Sequence, residues 1–231
     1  MKTIGLIGGM SWESSLVYYR LVNQGVKARL GGLHSAKCVM YSVDFAEIDP
    51  LQHGGKWTEA TEEIIEAARH VQDGGADLVV LCTNTMHKTA DKVQKQIRIP
   101  LLHIADATAQ AVKAHGLGTV GLLGTRFTME DDFYKGRLTE KHGLDVIVPT
   151  EEEREAVHRI IYDELCLGEI TQESKERYKG IMESLVDQRA QGIVLGCTEI
   201  GLLVSKKDSS VPVFDTTKIH AKAAVEWALR K

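Results

Sequence analysis

Two short stretches carry side chains able to move protons at the ends of apolar runs: LCTNTMH at 81–87 and LGCTEIG at 195–201. A cysteine thiol has an ordinary pKa of about 8.5, and a helix N-terminus or a nearby cation can turn it into a thiolate base or nucleophile. Threonine hydroxyls and an asparagine amide add donors and acceptors suited to holding a small acid. The two cysteines fall one place out of step. Aligning Leu81 with Leu195 sets Cys82 against Gly196, Thr83 against Cys197, Asn84 against Thr198 and Thr85 against Glu199. Side chains alternate in direction at a strand end, so neighbouring residues do not share a functional position. Thr83, rather than Cys82, is therefore the expected counterpart of Cys197.

The elements that must position these residues read as α/β. Short β-rich runs near 3–7, 37–43, 77–82, 100–104, 119–123, 145–148, 192–196 and 211–214 alternate with amphipathic segments. That alternation is the pattern of parallel strands joined by crossover helices. Helices are expected near 14–30, 57–73, 86–96, 106–115, 129–142, 151–165, 171–190 and 216–229. Gly31-Gly32 and Gly74-Gly75 supply C-terminal stops, and Glu130, Asp131 and Asp132 suit a helix N-terminus. The segment DFAEIDPLQHGGKW, with Pro50, Gly54 and Gly55, reads as a loop over the site.

An internal repeat organises these elements. GLIGGMS at 5–11 resembles GLLGTRFT at 121–128, LVVLCTNT at 78–85 resembles GIVLGCTE at 192–199, and IPLLHIADAT at 99–108 resembles VPVFDTT at 211–217. Gly5 and Gly121, Leu81 and Leu195, and Pro100 and Pro212 stand 116, 114 and 112 residues apart. The last pair takes a three-residue gap if Asp106 is to match Asp215. The expected domains are an N-terminal lobe over 1–113, completed by the C-terminal helix, and a C-terminal lobe over 114–231. Each lobe is expected to hold a mostly parallel four-stranded sheet flanked by helices.

Composition narrows the function. The 231 residues are 43% hydrophobic and 26% charged with a net charge of −4, and the basic residues are scattered, which argues against nucleic acid or an anionic membrane as partner. No apolar run has the length of a membrane span, and the N-terminus has no signal-peptide pattern. Cys38, Cys82, Cys166 and Cys197 form no C-x-x-C pair, which favours free thiols and a cytoplasmic setting. Cys38, Cys82 and Cys166 read as core residues. The nine histidines are dispersed without H-x-x-x-H spacing, so no metal site is expected. GLIGGMS is G-x-x-G-G rather than the dinucleotide fingerprint G-x-G-x-x-G, and no acid follows about twenty residues later. It reads as a glycine turn that brings Met10 and Ser11 to a ligand.

The ordered set GLIGGMSWESS, RLGGLHSAK, YSVDF, CTNTMHK, LLGTRFTMEDDFY, GCTEIGLLV and PVFDTT spans nearly the whole chain. It resembles the aspartate/glutamate racemase family, in particular its broad-specificity amino-acid racemases. The resemblance implies two pseudo-symmetric α/β lobes with the active site between them, no cofactor, a homodimer and a small amino-acid substrate. It also implies one acid/base residue from each lobe on opposite faces of the substrate α-carbon. In that family the two residues are usually cysteines; here the resemblance implies Thr83 and Cys197 as the catalytic pair, and a threonine hydroxyl is no general base unaided.

Met10, Gln52, Asn84, Thr85, Thr125, Thr198 and Glu199 are the substrate-binding residues that the pattern and the resemblance single out. Gln52 is read as contacting the distal part of the substrate, and Glu199 as orienting Cys197 or the substrate amine. His87 has the same reading or a structural one, Thr128 a site or helix-cap role, and Arg126 a carboxylate-pairing or solvated role. The alternatives are a single-cysteine decarboxylase or cis-trans isomerase of small dicarboxylic acids, and a relative that binds an amino acid without turnover.

Overall fold

Strand β1 (Ile4–Gly8) is buried along its whole length, as a strand covered on both faces must be. In the computed structural model, which describes Met1–Arg230, β1 is the middle strand of the first sheet. Helix α1 (Trp12–Leu30) follows, burying Ser14, Ser15, Tyr18, Val22 and Val26 at helical spacing and stopping at Gly31, φ 75°. Next come β2 (Cys38–Ser42), α2 (Phe45–His53), α3 (Trp57–Asp73) and β3 (Leu78–Leu81). A 3₁₀ turn over Thr85–Thr89 leads into the short α4 (Ala90–Gln94). The strand order is β2-β1-β3, all parallel.

Two expectations change here. The segment read as a loop over the site is the helix α2: Asp44 caps it by accepting from Ala46 N at 3.0 Å, and the helix carries Pro50 in its interior. Proline withdraws one donor without ending so short a helix. The strand expected over 100–104 is reduced to one bridge, Val79↔Leu101. Pro100 has no N–H to give the ladder, Leu101 N donates to the Gln94 side chain at 2.7 Å, and helix α5 (Ile104–Ala114) begins three residues later. The first sheet therefore has three strands where four were expected.

The second sheet has four: β4 (Thr119–Gly124) and β5 (Asp145–Ile147), then β6 (Ile193–Gly196) and β7 (Val213–Asp215), in the order β5-β4-β6-β7 and all parallel. Between β4 and β5 lie the short α6 (Arg126–Glu130) and a π-helical turn over Arg137–Lys141. The single helix expected over 129–142 is thus broken, and the acidic run at 130–132 ends a helix instead of starting one. Helices α7 (Glu151–Asp163) and α8 (Gln172–Asp187) precede β6. The short α9 (Ile200–Leu203) follows β6, and α10 (Thr216–Ala228) follows β7. A capping box between Thr150 and Glu153 starts α7, satisfying two otherwise orphaned backbone donors.

The chain divides into two units, Met1–His103 with the chain from His220 onward, and Ile104–Ile219. The repeat pointed to a boundary near 113. It falls before α5, because Ile104, Ala105, Ala109 and Val112 belong to the core that holds Leu122, Leu123, Val194 and Leu195. In the first unit, Ala221, Ala224, Val225 and Ala228 of α10 pack in one cluster with Ile4, Leu6, Tyr18, Val22 and Val26.

Sheet register reproduces the repeat without reference to residue identity. Ile7 pairs with Leu81 in the first sheet, and Leu123 with Leu195 in the second. Val79 bridges Leu101, and Ile193 pairs with Val213. Helices α5 and α10 start at Ile104 and Thr216, keeping the last spacing of 112. No gap is needed: His103, not Asp106, holds the position of Asp215.

Candidate active site

Since Leu81 and Leu195 occupy equivalent sheet positions, the residues two places beyond each, Thr83 and Cys197, share one register. Cys82 turns the other way, into the cluster of Ile4, Leu6, Tyr18 and Val80, and burial pushes its thiol far above the ordinary range. A side chain at its counterpart, Gly196, has no room. A Cβ there would stand 2.9 Å from both Leu123 O and Leu122 Cδ1.

In the second unit, β4 and β6 end side by side, with Gly124 opposite Gly196. A Cβ on Gly124 would lie 2.8 Å from Gly196 O, so the two glycines let the strand ends approach. Thr125 and Cys197 are thereby placed as neighbours at the same sheet end. Glu199 is 2% exposed, and its Oε2 accepts from Cys197 Sγ at 2.9 Å and from Thr198 Oγ1 at 2.7 Å. Burial, and then the Glu199 charge, push the Cys197 pKa well up. The resting group is a thiol donating to a carboxylate.

Thr125 caps α6: its Oγ1 accepts from Thr128 N at 3.4 Å and lies 3.2 Å from Thr128 Oγ1. The cap is therefore Thr125 rather than Thr128. Arg126 is half exposed and its guanidinium lies 3.6 Å from Glu155. Thr216 Oγ1 donates to Leu195 O at 2.7 Å and braces the end of β6. Thr217 beside it is buried with no hydrogen-bond partner for its hydroxyl among the described residues.

In the first unit, the turn after β1 is tight. Gly9 has φ 94° and a Cβ on it would collide with Val43 O, while Gly9 N donates to Ser15 Oγ at 2.8 Å. Ser11 caps α1, and Met10 packs in the cluster holding Ile7, Ile48 and Met86. Thr83, Asn84 and Thr85 are all buried at the start of the 3₁₀ turn. Gln52 is buried as well, and its Nε2 donates to Met86 Sδ at 3.1 Å, tying α2 to that turn. The structure thus brings Met10, Gln52, Thr83, Asn84 and Thr85 together around one turn. It gathers Thr125, Cys197, Thr198 and Glu199 at the end of the second sheet.

Sequence reasoning singled out His87, with an orienting or a structural role, but missed the two histidines packed against it. His87 Nδ1 lies 2.8 Å from Thr83 O, and its ring centroid lies 4.6 Å from that of His103 and 5.6 Å from that of His220. His220 is fixed by Tyr18 OH on Nδ1 and Leu102 O on Nε2, both at 2.9 Å. Burial, then the neighbouring His103 and His220, hold His87 well below the ordinary imidazole pKa, and burial lowers His220 to about 4. These rings come from 87, 103 and 220, so no local spacing announces them.

Among the described residues no group of three or more His, Cys, Asp or Glu side chains is arranged to hold a metal ion, and no helix is long and apolar enough to cross a membrane. A surface groove of about 880 Å³ runs between α7 and α8, lined by Arg159, Glu164, Ser174 and Arg177 among others. None of the residues singled out from the sequence lines it.

A family model described as Asp/Glu/Hydantoin racemase matches residues 7–224. The broad specificity amino-acid racemase RacX of Bacillus subtilis (strain 168) is 24% identical over 231 residues, covering 98% of each chain. A crystal structure of a Yersinia pestis protein assigned to the Asp/Glu racemases is 58% identical, with TM-score 0.93 and full coverage of both chains. That of an aspartate racemase homologue from Pyrococcus horikoshii OT3 is 35% identical, with TM-score 0.86 and full coverage of both.

Proposed function

Because the chain belongs to the Asp/Glu/Hydantoin racemase family, we propose that it interconverts the L and D forms of aspartate, glutamate or a related amino acid without a cofactor, using Cys197 and Thr83. The chain is an isomerase of the amino-acid racemase kind. The observation that carries the assignment of Cys197 is its hydrogen bond to Glu199, whose carboxylate also holds Thr198.

Racemisation removes the α-proton from one face of a carbon and returns one to the other. A protonated thiol cannot do the first step. Transfer of the Cys197 proton to Glu199 Oε2 converts thiol plus carboxylate into thiolate plus acid, and the pair carries one negative charge before and after. No second charge has to be buried, which is what makes the step feasible in a desolvated site. The thiolate then takes the α-proton, and the negative charge passes to the substrate carbanion. On the opposite face Thr83 gives its hydroxyl proton to that carbanion while taking one from a water, so no free alkoxide forms. Glu199 returns its proton to the resulting hydroxide, which resets the pair.

Thr83 is the weaker partner, and the reverse direction must start from it. The two enantiomers have equal free energy, so kcat/KM is the same for both. The asymmetry lies in kcat and KM separately, which differ by a common factor. Asn84, Thr85, Thr125 and Thr198 offer donors for the substrate carboxylate. Met10 and Gln52 bound the distal part, where a neutral glutamine admits more than one side chain.

The test is incubation with L- or D-aspartate and L- or D-glutamate in D2O, following the α-proton by NMR and the enantiomers by chiral chromatography. Inversion with deuterium uptake is expected, lost in Cys197→Ala. A Thr83→Ala protein should exchange the α-proton of one enantiomer without inverting it. Equal saturating rates from both enantiomers would count against the asymmetric pair.

A further inference from the structure

Thr83 lies beyond the last paired residue of β3, Leu81, and before the 3₁₀ turn that starts at Thr85. Its carbonyl bonds to a side chain four residues on, the His87 imidazole. The ring also meets the Leu102 carbonyl, but that oxygen is already held by His220 Nε2, so the hydrogen of a neutral His87 is assigned to Nδ1, 2.8 Å from Thr83 O. His220 is fixed by the same logic: Nε2 donates to the Leu102 carbonyl, and bare Nδ1 accepts from the Tyr18 hydroxyl. His103 and His220 both pack against the His87 ring. The group that anchors the Thr83 carbonyl is thus a buried ring walled in by two further imidazoles.

We propose that His87 is the positioning residue for Thr83: its Nδ1–H holds the Thr83 carbonyl, and His103 with the Tyr18–His220 pair holds its ring, so the cluster sets where the Thr83 hydroxyl points. This rests on the reading of Thr83 as the second proton-transfer group. His87 transfers no proton itself. Its Nδ1 is committed to a backbone carbonyl, and burial keeps the ring neutral. The arrangement suits the residue that needs it more. A thiolate reacts over a broad range of approach, whereas a hydroxyl that must pass on one proton while taking another needs both its neighbours in line.

A merely structural role for His87 would lower exchange and inversion together. A positioning role lowers inversion relative to exchange. The enantiomer deprotonated by Cys197 is identified as the one whose α-proton still exchanges in Thr83→Ala. With that enantiomer in D2O, His87→Leu is expected to keep exchanging while the ratio of inverted to retained deuterated product falls by about tenfold to a hundredfold. His87→Asn places an amide N–H where Nδ1 stands, and is expected to recover most of the ratio. Tyr18→Phe removes only the hydroxyl donor to His220, and is expected to lower the ratio by about fivefold.

If His87→Leu keeps the wild-type ratio while Thr83→Ala does not invert, the positioning role is overturned and the role of Thr83 stands. If Thr83→Ala inverts at the wild-type rate, the reading of Thr83 fails and this inference fails with it. Should His87→Leu not fold, Tyr18→Phe and His87→Asn decide the matter: a wild-type ratio in Tyr18→Phe overturns the proposal.

Discussion

Cys197 and Glu199 share a single hydrogen: Sγ donates to Oε2 across 2.9 Å, and Thr198 Oγ1 donates to the same oxygen at 2.7 Å. One carboxylate oxygen therefore holds the thiol as a donor and stands ready to receive its proton. The sequence placed Glu199 beside Cys197, and the geometry makes it a candidate base partner.

Glu199→Gln tests that partnership. The amide keeps the size of the side chain and can still accept from the thiol, but it cannot take a proton. Exchange of the substrate α-proton is expected to fall by about a hundredfold to ten-thousandfold. The Glu199 charge is one reason, after burial, for the raised Cys197 pKa. Removing it is expected to move the midpoint of Cys197 alkylation to lower pH. Loss of exchange together with a midpoint that rises or stays would separate Glu199 from the thiol.

Thr83→Cys supplies a stronger base at the position in register with Cys197. The direction that starts at residue 83 is expected to gain about tenfold in saturating rate, and the kcat values for the two enantiomers to converge. Initial rates at saturating L- and D-substrate check this. A mutant whose two kcat values stay as far apart as those of the parent would locate the asymmetry elsewhere.

Gly196→Ala tests the register itself. The new methyl would stand 2.9 Å from a backbone oxygen and from Leu122 Cδ1. A loss of about 1–3 kcal/mol in unfolding free energy is expected, measured by urea denaturation. Cys82→Ala, which removes one thiol from a packed cluster, is expected to leave racemisation intact and to lower stability only.

His220 gives the fold a pH dependence. Its folded pKa, about 4 through burial, lies below the unfolded value of about 6.5, so between these pH values the unfolded chain binds the extra proton. Stability is fully present above about 6.5 and falls as the pH drops toward 4, by about 3 kcal/mol from this group. His220→Gln keeps a donor for Leu102 O, and is expected to flatten that slope. Urea midpoints of both proteins at pH 7 and pH 4.5 measure the difference.

The alternation of strands and helices was legible in the sequence because buried parallel strands are continuous apolar runs and their helices end at glycines such as Gly31 and Gly75. That Thr83, rather than Cys82, stands at the position equivalent to Cys197 was legible because the duplicated strand ends keep their spacing. What escaped was set by backbone accounting and by distant contacts. Pro50 disguised α2 as a loop. Pro100 and the Gln94 side chain cut the strand expected over 100–104 down to a single bridge. Tyr18 and His220, 202 residues apart, meet only once the chain from His220 onward joins the first unit. No window of the sequence contains both.

The raised thiol pKa values carry a consequence for endurance. Burial pushes up Cys38 and Cys82, and burial with Glu199 pushes up Cys197. Peroxide attacks thiolates, and at neutral pH these three sulfurs are almost wholly protonated. A chain whose chemistry needs a thiolate would be expected to age through sulfenic acid. On the proposed role of Cys197, its sulfur rests as the less reactive thiol between turnovers, and slow oxidation of the idle protein is the expected outcome.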